Sequence, residues 1–214
     1  EVYPAIFDNF REMNIGYFLY VGGNDSMDTV DKLSRYAEKI GSDVKFIGIP
    51  KTIDNDLVLT DHTPGFGSAA KYVASTVREI VLDASVYQQR SVTIVEIMGR
   101  NAGWLVGAAA LSKGEDCDGS DLIYVPELPF DIDNFLVRIK ELLAEKTFVV
   151  VAVSEGIRLA DGRYVCELTD GVDFVDAFGH KQLTGTANYL ARRLAQEIGC
   201  KTRTIDLSSM QRAA

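Results

Sequence analysis

Histidine and cysteine are scarce in this chain, and each scarcity removes a class of chemistry. Only His62 and His180 occur in 214 residues. Neither stands in a Ser/Asp or metal-ligand pattern, so neither is assigned a role. The three cysteines, Cys117, Cys166 and Cys200, are far apart, odd in number and without C-x-x-C spacing. That argues against a disulfide framework and a zinc site, and a reducing cytoplasm fits best. No apolar run approaches the roughly 20 residues needed to span a bilayer. The opening Glu1-Val2-Tyr3-Pro4 shows no basic stretch leading into an apolar one, so no export signal is visible. Positive charge is also short, with 22 Lys+Arg against 31 Asp+Glu and a formal net charge of -9. The balance disfavours non-specific nucleic-acid or anionic-membrane binding, and a phosphorylated substrate would need locally clustered cations. Proline/serine-rich linkers, internal repeats and low-complexity tracts are absent from the sequence.

What is present is apolar and periodic. With 47% hydrophobic residues, the chain can bury a sizeable core as one large domain or two smaller ones. The first residue is not Met, and residues 5–11 already look like the body of a helix, so the sequence reads as a piece of a longer chain. Apolar runs rich in β-branched residues recur at Tyr17–Val21, Val44–Ile49, Val92–Ile97, Leu122–Val125, Phe148–Val153 and, more weakly, Thr202–Leu207. Between most of them, 3.6-period spacing predicts helices over Asp28–Ile40, Gly67–Ala84, Ala102–Leu111, Ile132–Leu143 and Gly185–Ile198. Strands alternating with helices of this length argue for βαβ units in an α/β fold, with a largely parallel sheet covered on both faces. Leu59 to Gly65 suits a crossing segment. Residues 159–171, centred on Asp161-Gly162-Arg163, suit a hairpin-type turn between short strands.

Four loops follow predicted strands at the end where open α/β sheets bind ligands. Lys51-Thr52-Ile53-Asp54-Asn55-Asp56 places two carboxylates two residues apart after a run that reads as a buried strand. One carboxylate could act as a base while the other holds a metal; the same residues also suit a solvated Asp/Asn turn. Gly22-Gly23-Asn24-Asp25-Ser26 could turn backbone N–H groups toward an anion, or could simply be a tight turn. Asp25 repels a phosphate unless a divalent cation lies between them, so Asn24 and Asp25 are either Mg²⁺-associated groups or helix N-caps. Met98-Gly99-Arg100 brings a guanidinium fork suited to phosphate oxygens. Ser154-Glu155-Gly156 could offer a carboxylate to a sugar hydroxyl. Arg203, Gln211 and Arg212 close the chain near a further strand end.

In this order, these loops resemble the phosphofructokinase family, through Gly22–Ser26, Pro50–Asp56, Met98–Arg100, Ser154–Gly156 and Gln211-Arg212. The resemblance implies a three-layer arrangement with two Rossmann-like phosphofructokinase domains. Residues 1–65 would belong to the phosphoryl-donor side, with 206–214 returning to it, and 66–205 would bind the sugar phosphate. It implies phosphoryl transfer to the 1-hydroxyl of fructose 6-phosphate, with Mg²⁺ as cofactor and a homo-oligomer, dimer or tetramer, as the assembly. Asp54 would be the base and Asp56 a metal-side carboxylate, joined by Asp25. Thr52 would contact the transferring phosphate or the sugar hydroxyl, and Arg100 would stabilise the phosphate's charge. Met98, Gly99 and Glu155 would hold the sugar. Arg203 and Arg212 would bind the 6-phosphate, Arg203 across a subunit interface, and Arg90 is the nearest match to a further family arginine.

Two positions bear on the donor. ATP-dependent members carry Gly where this chain has Asp25 and Lys51, and the pair seen here is the pattern of pyrophosphate-dependent members. Asp25 fills and charges the space of a nucleotide's α-phosphate, while Lys51 suits compact, highly charged pyrophosphate. Gly22, Gly23, Asn24, Asp25 and Lys51 form the expected donor set, and Trp104 after Gly103 fits the same pattern. There are departures: Asn24 stands where relatives have a metal-associated Asp, Ser209 replaces a His or Tyr, and the family's first strand with its Gly-rich phosphate loop has no counterpart ahead of Glu1. The alternatives are an ATP-dependent member, a non-catalytic regulatory subunit of the same fold, and a sugar-phosphate binding module.

Overall fold

The computed structural model describes residues 2–168 and 185–214. It divides into two compact units, one of Glu1–Thr52 with Leu57–Leu59, the other of Ile53–Asp56 with Thr60–Ala214.

The first unit runs α1 (Val2–Glu12), β1 (Tyr17–Gly22), α2 (Asn24–Ile40) and β2 (Lys45–Pro50). It is a βαβ unit: β1 and β2 pair in parallel, Tyr17 opposite Lys45 and Gly22 opposite Pro50. Helix α2 presents Val30, Leu33 and Ala37, spaced three and four apart, to the core and ends at Gly41 in the left-handed conformation (φ 65°). Its partners include an aromatic cluster of Phe7, Phe10, Phe18 and Phe46, whose rings lie 5.2 to 6.1 Å apart. Close packing also explains Gly48, where a Cβ would lie 2.8 Å from the Met27 sulfur. The expectation of a buried strand at Val44–Pro50 is corrected. Phe18 and Phe46 pack on the helices, whereas Leu19, Val21, Ile47 and Ile49 are exposed. A two-stranded ribbon under one helical layer covers one face only.

The second unit contains α3 (Phe66–Ser85), β3 (Ser91–Ile97), α4 (Trp104–Gly107), β4 (Leu122–Tyr124), α5 (Ile132–Glu145), β5 (Phe148–Ser154), α6 (Thr186–Glu197), β6 (Lys201–Asp206) and α7 (Ser208–Ala213). Its strands form one all-parallel sheet in the order β4-β5-β3-β6. Alternation along the central strands supplies two cores. Val92, Ile94, Val149, Val151 and Val153 meet α5 and α6 through Phe135, Ile139, Leu190 and Leu194. Val95, Ile97, Val150 and Ala152 point the other way, onto Val73, Val77 and Val81 of α3 and Leu105 of α4. Helices on both faces make three layers, and each fully buried Val, Leu or Ile contributes about 1.5–3 kcal/mol.

Three local readings differ from the sequence expectation. Helix α2 begins at Asn24 rather than Asp28, with Gly23 as its N-cap, so Asn24 and Asp25 lie in the first turn and not at the cap. The stretch expected as one helix over Ala102–Leu111 is a single α-helical turn continued as a 3-10 turn, Ala108–Ser112. The small side chains of Ala108 and Ala109 let that tighter turn lie directly on α3. The turn at Asp161-Gly162-Arg163 is present, with Gly162 at φ 87° and Leu159 N–H donating to the Arg163 carbonyl at 2.9 Å. It is flanked by one bridge, Arg158 to Tyr164, and then a 3-10 turn at Val165–Leu168 in place of strands. Residues 169–171 and His180 lie outside the described residues. By contacts the units separate at Thr52 rather than at 65, and 206–214 group with the second unit. Fully buried Leu207 and the packing of α7 on α3 hold them there.

Candidate active site

In the first unit, the donor-side candidates gather at the carboxyl ends of β1 and β2. Lys51 N–H donates to the Gly22 carbonyl at 2.8 Å, which sets Lys51 beside the Gly22-Gly23 turn. A Cβ on Gly22 would fall 2.1 Å from the Ser26 hydroxyl, so a glycine is needed there for the turn to close on α2. On Gly23 a Cβ would be 3.7 Å from the Lys51 carbonyl, an ordinary contact. The turn thus opens directly into a 17-residue helix whose amino end carries Asp25 in its first turn. The amino end of a helix attracts anions.

The second unit carries the acceptor-side candidates. Asn55 sits between the two carboxylates Asp54 and Asp56 in the left-handed conformation (φ 59°) and is buried. Its amide nitrogen donates to the Asp61 carbonyl at 3.1 Å, and its amide oxygen accepts from Thr63 N–H at 2.9 Å. Asn55 therefore clamps the loop that presents Asp54 and Asp56, and Asn tolerates this backbone better than other side chains do.

Met98–Arg100 leaves the carboxyl end of β3 and Glu155 leaves that of β5, which pair in parallel with Ile97 opposite Ser154. The two loops lock backbone to backbone. A Cβ on Gly156 would lie 2.0 Å from the Arg100 carbonyl oxygen, and one on Gly99 (φ 131°) 2.4 Å from that of Ala102. Fully buried Ser154 donates its hydroxyl to the Gly99 carbonyl at 2.6 Å and accepts from Gly156 N–H at 3.0 Å. Glu155 N–H donates to the Ile97 carbonyl at 2.9 Å, and the Glu155 carboxylate accepts from Gly99 N–H at 3.4 Å. Met98 is half-buried and packs against the core beneath the loop.

Burial pushes the Glu155 carboxyl up to about 7; its bond from Gly99 opposes the rise, Asp54 and Glu96 add to it, and Arg100 opposes it. Asp54, Arg100 and Glu155, separated by up to 101 positions in the chain, thus share one electrostatic neighbourhood. A carboxyl near neutrality beside a second carboxylate and a guanidinium can hold a hydroxylated ligand, leaving the other acid to take up a proton.

The remaining candidates are placed differently. Arg212 lies on α7, which follows β6 where Asp206 is level with Glu96, and its guanidinium donates to the Ser209 hydroxyl at 3.5 Å. Arg203 lies on β6, the edge strand among the described residues, opposite Thr93 in the amino-terminal half of β3 and away from the Met98–Arg100 loop. It pairs with Asp83 at 2.8 Å and lies 5.8 Å from the Tyr87 ring. Arg90 immediately precedes β3, at the same amino-terminal end. Among the described residues no group of three His, Cys, Asp or Glu could hold a metal ion. Magnesium on phosphates uses only one or two protein carboxylates, so Asp25 and Asp56 have suitable chemistry without such a group.

Sequence reasoning does not single out Asn55, Ser154, Gly156, Glu96 or Thr186 as residues with work of their own. Glu96 leaves a signal, as one acid inside an apolar run, whereas Thr186 leaves none.

A phosphofructokinase family model matches residues 1–214. Over 214 residues the chain is 43% identical to the pyrophosphate--fructose 6-phosphate 1-phosphotransferase of Xanthomonas campestris pv. campestris, covering 99% of this chain and 50% of that protein. It is 32% identical to ATP-dependent 6-phosphofructokinase 1 of Synechocystis, over 97% of this chain and 52% of that one. The crystal structure of the pyrophosphate-dependent phosphofructokinase of Marinobacter aquaeolei superposes with a TM-score of 0.70 at 36% identity, covering 99% of this chain and 49% of its own. The chain spans about half the length of the curated relatives it matches. With strand-end loops of this kind in both units and one family model running along its whole length, the chain belongs to the phosphofructokinase family.

Proposed function

We propose that the full-length protein transfers a phosphoryl group from pyrophosphate to the 1-hydroxyl of fructose 6-phosphate, giving fructose 1,6-bisphosphate and phosphate, reversibly. The observation that carries the reading is the shared neighbourhood of Asp54, Arg100 and Glu155 at the carboxyl ends of β3 and β5. Asp54 accepts the proton of the 1-hydroxyl as its oxygen bonds to phosphorus. The bridging P–O bond of pyrophosphate breaks, and phosphate departs with that electron pair. Arg100 balances charge on the transferring group, and Thr52 contacts it. Glu155, with Met98 and Gly99, holds the sugar. Catalysis of this type consists mainly of alignment and charge stabilisation.

Gly22, Gly23, Asn24, Asp25 and Lys51 form the donor side. Asp25 and Lys51 favour pyrophosphate: a carboxylate at this helix end disfavours an α-phosphate, and the adjacent cation suits a small polyanion. Mg²⁺ would neutralise donor charge when bound, and Asp25 and Asp56 each offer a carboxylate suited to it. Arg212, and Arg203 from a neighbouring subunit of a homo-oligomer, bind the 6-phosphate; the place of Arg203 on an edge strand supports that reading. Buried Cys117 and Cys166 and half-buried Cys200, none in a disulfide, are consistent with a cytoplasmic site of action. A coupled assay of the full-length protein with each donor tests the proposal. Turnover with pyrophosphate and little with ATP is expected, and equal or better turnover with ATP would overturn the donor assignment.

A further inference from the structure

We infer that Glu96 is a positioning residue for Glu155, acting through the first turn of α6. This rests on the reading that Glu155 holds the acceptor sugar. Glu96 is the one acid in β3 and is 4% exposed. Its two carboxylate oxygens accept from Gly185 N–H at 3.3 Å and Ala187 N–H at 2.8 Å. These donors flank Thr186 at the amino end of a 12-residue helix, where an anion is favoured, and Gly185 takes the left-handed backbone (φ 100°) that begins it. Thr186 is fully buried and donates its hydroxyl to the Glu155 carbonyl at 3.1 Å. The path from Glu96 to Glu155 is thus two backbone bonds that fix Thr186 and one side-chain bond that fixes the loop. Glu96 also stands two residues ahead of Met98, so one strand carries both this support and the Met98–Arg100 loop.

The charges around the pair give the arrangement a signature that packing alone lacks. Glu96 faces Asp206 of β6, the Cys166 thiol and Glu155; Glu155 faces Asp54, Glu96 and Arg100. Withdrawing the Glu96 charge removes one anion from the surroundings of Glu155 and lowers its proton affinity. Thr186 carries no charge, so its loss moves the loop without that effect.

The test uses the full-length enzyme with Thr186→Val, Thr186→Ser and Glu96→Gln. Thr186→Val leaves the Glu155 carbonyl without this donor, and KM for fructose 6-phosphate is expected to rise about tenfold, with kcat and the pyrophosphate KM within about threefold. Thr186→Ser restores the wild-type value. Glu96→Gln raises the same KM and moves its pH dependence to lower pH, whereas Thr186→Val leaves the pH dependence in place. Folded Thr186→Val and Glu96→Gln enzymes with wild-type KM and pH dependence would overturn the inference. So would an equal loss in kcat and both KM values. Hydrogen exchange at the Gly156 amide, expected to quicken in Thr186→Val, needs no activity. If Glu155→Gln keeps the wild-type sugar KM, the sugar-binding reading falls, and this exchange measurement still decides whether α6 holds the loop.

Discussion

Adding one methyl group at Gly156 offers the sharpest trial of how the site is held. The new Cβ would lie 2.0 Å from the Arg100 carbonyl oxygen, while ordinary contact begins at 3.4 Å, so the two loops must part by about 1.4 Å. The obstacle is backbone, which cannot rotate away as a side-chain tip can, and Ser154 resists the movement through its bond to the Gly99 carbonyl. Overpacking of this kind costs about 1–3 kcal/mol of stability, or a few degrees of Tm per kcal/mol for a chain of this size. A shift of about 1 Å in a catalytic group lowers rate by about 10²-fold, or about 2.7 kcal/mol of transition-state stabilisation. Steady-state kinetics on full-length Gly156→Ala should therefore show kcat down by about two orders of magnitude, with circular dichroism confirming that the protein is folded. A folded variant whose kcat stays within about threefold would refute the argument that this backbone contact places Arg100.

Further outcomes can be checked in the same background. Glu155 lies near 7 in the folded protein against an ordinary 4.5, so between those values the unfolded chain has released a proton that the folded one retains. Its contribution is fully present below pH 4.5 and declines as pH rises through about 7, by about 3 kcal/mol; urea unfolding at pH 5 and pH 8 should show this slope, reduced in Glu155→Gln. Asn55→Ala loses two hydrogen bonds, one of them buried, and forces alanine into a left-handed backbone, which should cost about 2–4 kcal/mol by denaturant titration. Asn55→Gly, relieved of the backbone strain, should fall between alanine and wild type. Lys51→Gly should raise the pyrophosphate KM about tenfold through loss of one phosphate-side cation, leaving the sugar KM within about twofold; unchanged pyrophosphate kinetics would count against its assignment.

The local grammar of the chain is legible in its residue pattern. Each of the six apolar runs is a strand, because period-two and continuous apolar patterns report a pleated surface directly. The parallel sheet with helices on both faces follows from their alternation with 3.6-period segments. The loops after β1, β2, β3 and β5 are legible as well, since Gly, Asp, Arg and Glu at strand ends stand out from apolar surroundings. Burial is less legible. Ile47 and Ile49 read as core yet are exposed, because a short apolar run does not reveal whether one face or both will be covered.

How those loops constrain one another is set by the packed fold. Gly156 and Arg100 are 56 positions apart, and Glu96 and Ala187 are 91 apart. The register of β3 against β5 and the docking of α6 bring them into contact, and neither leaves a pattern in neighbouring residues. The proton affinity of Glu155 belongs to the same class. A carboxylate's charge depends on the water it has lost and the ions it faces, so burial, Asp54, Glu96 and Arg100 set it jointly. Which chemical groups stand at the strand ends follows from residue order alone; packing sets their separation, their support and their charge.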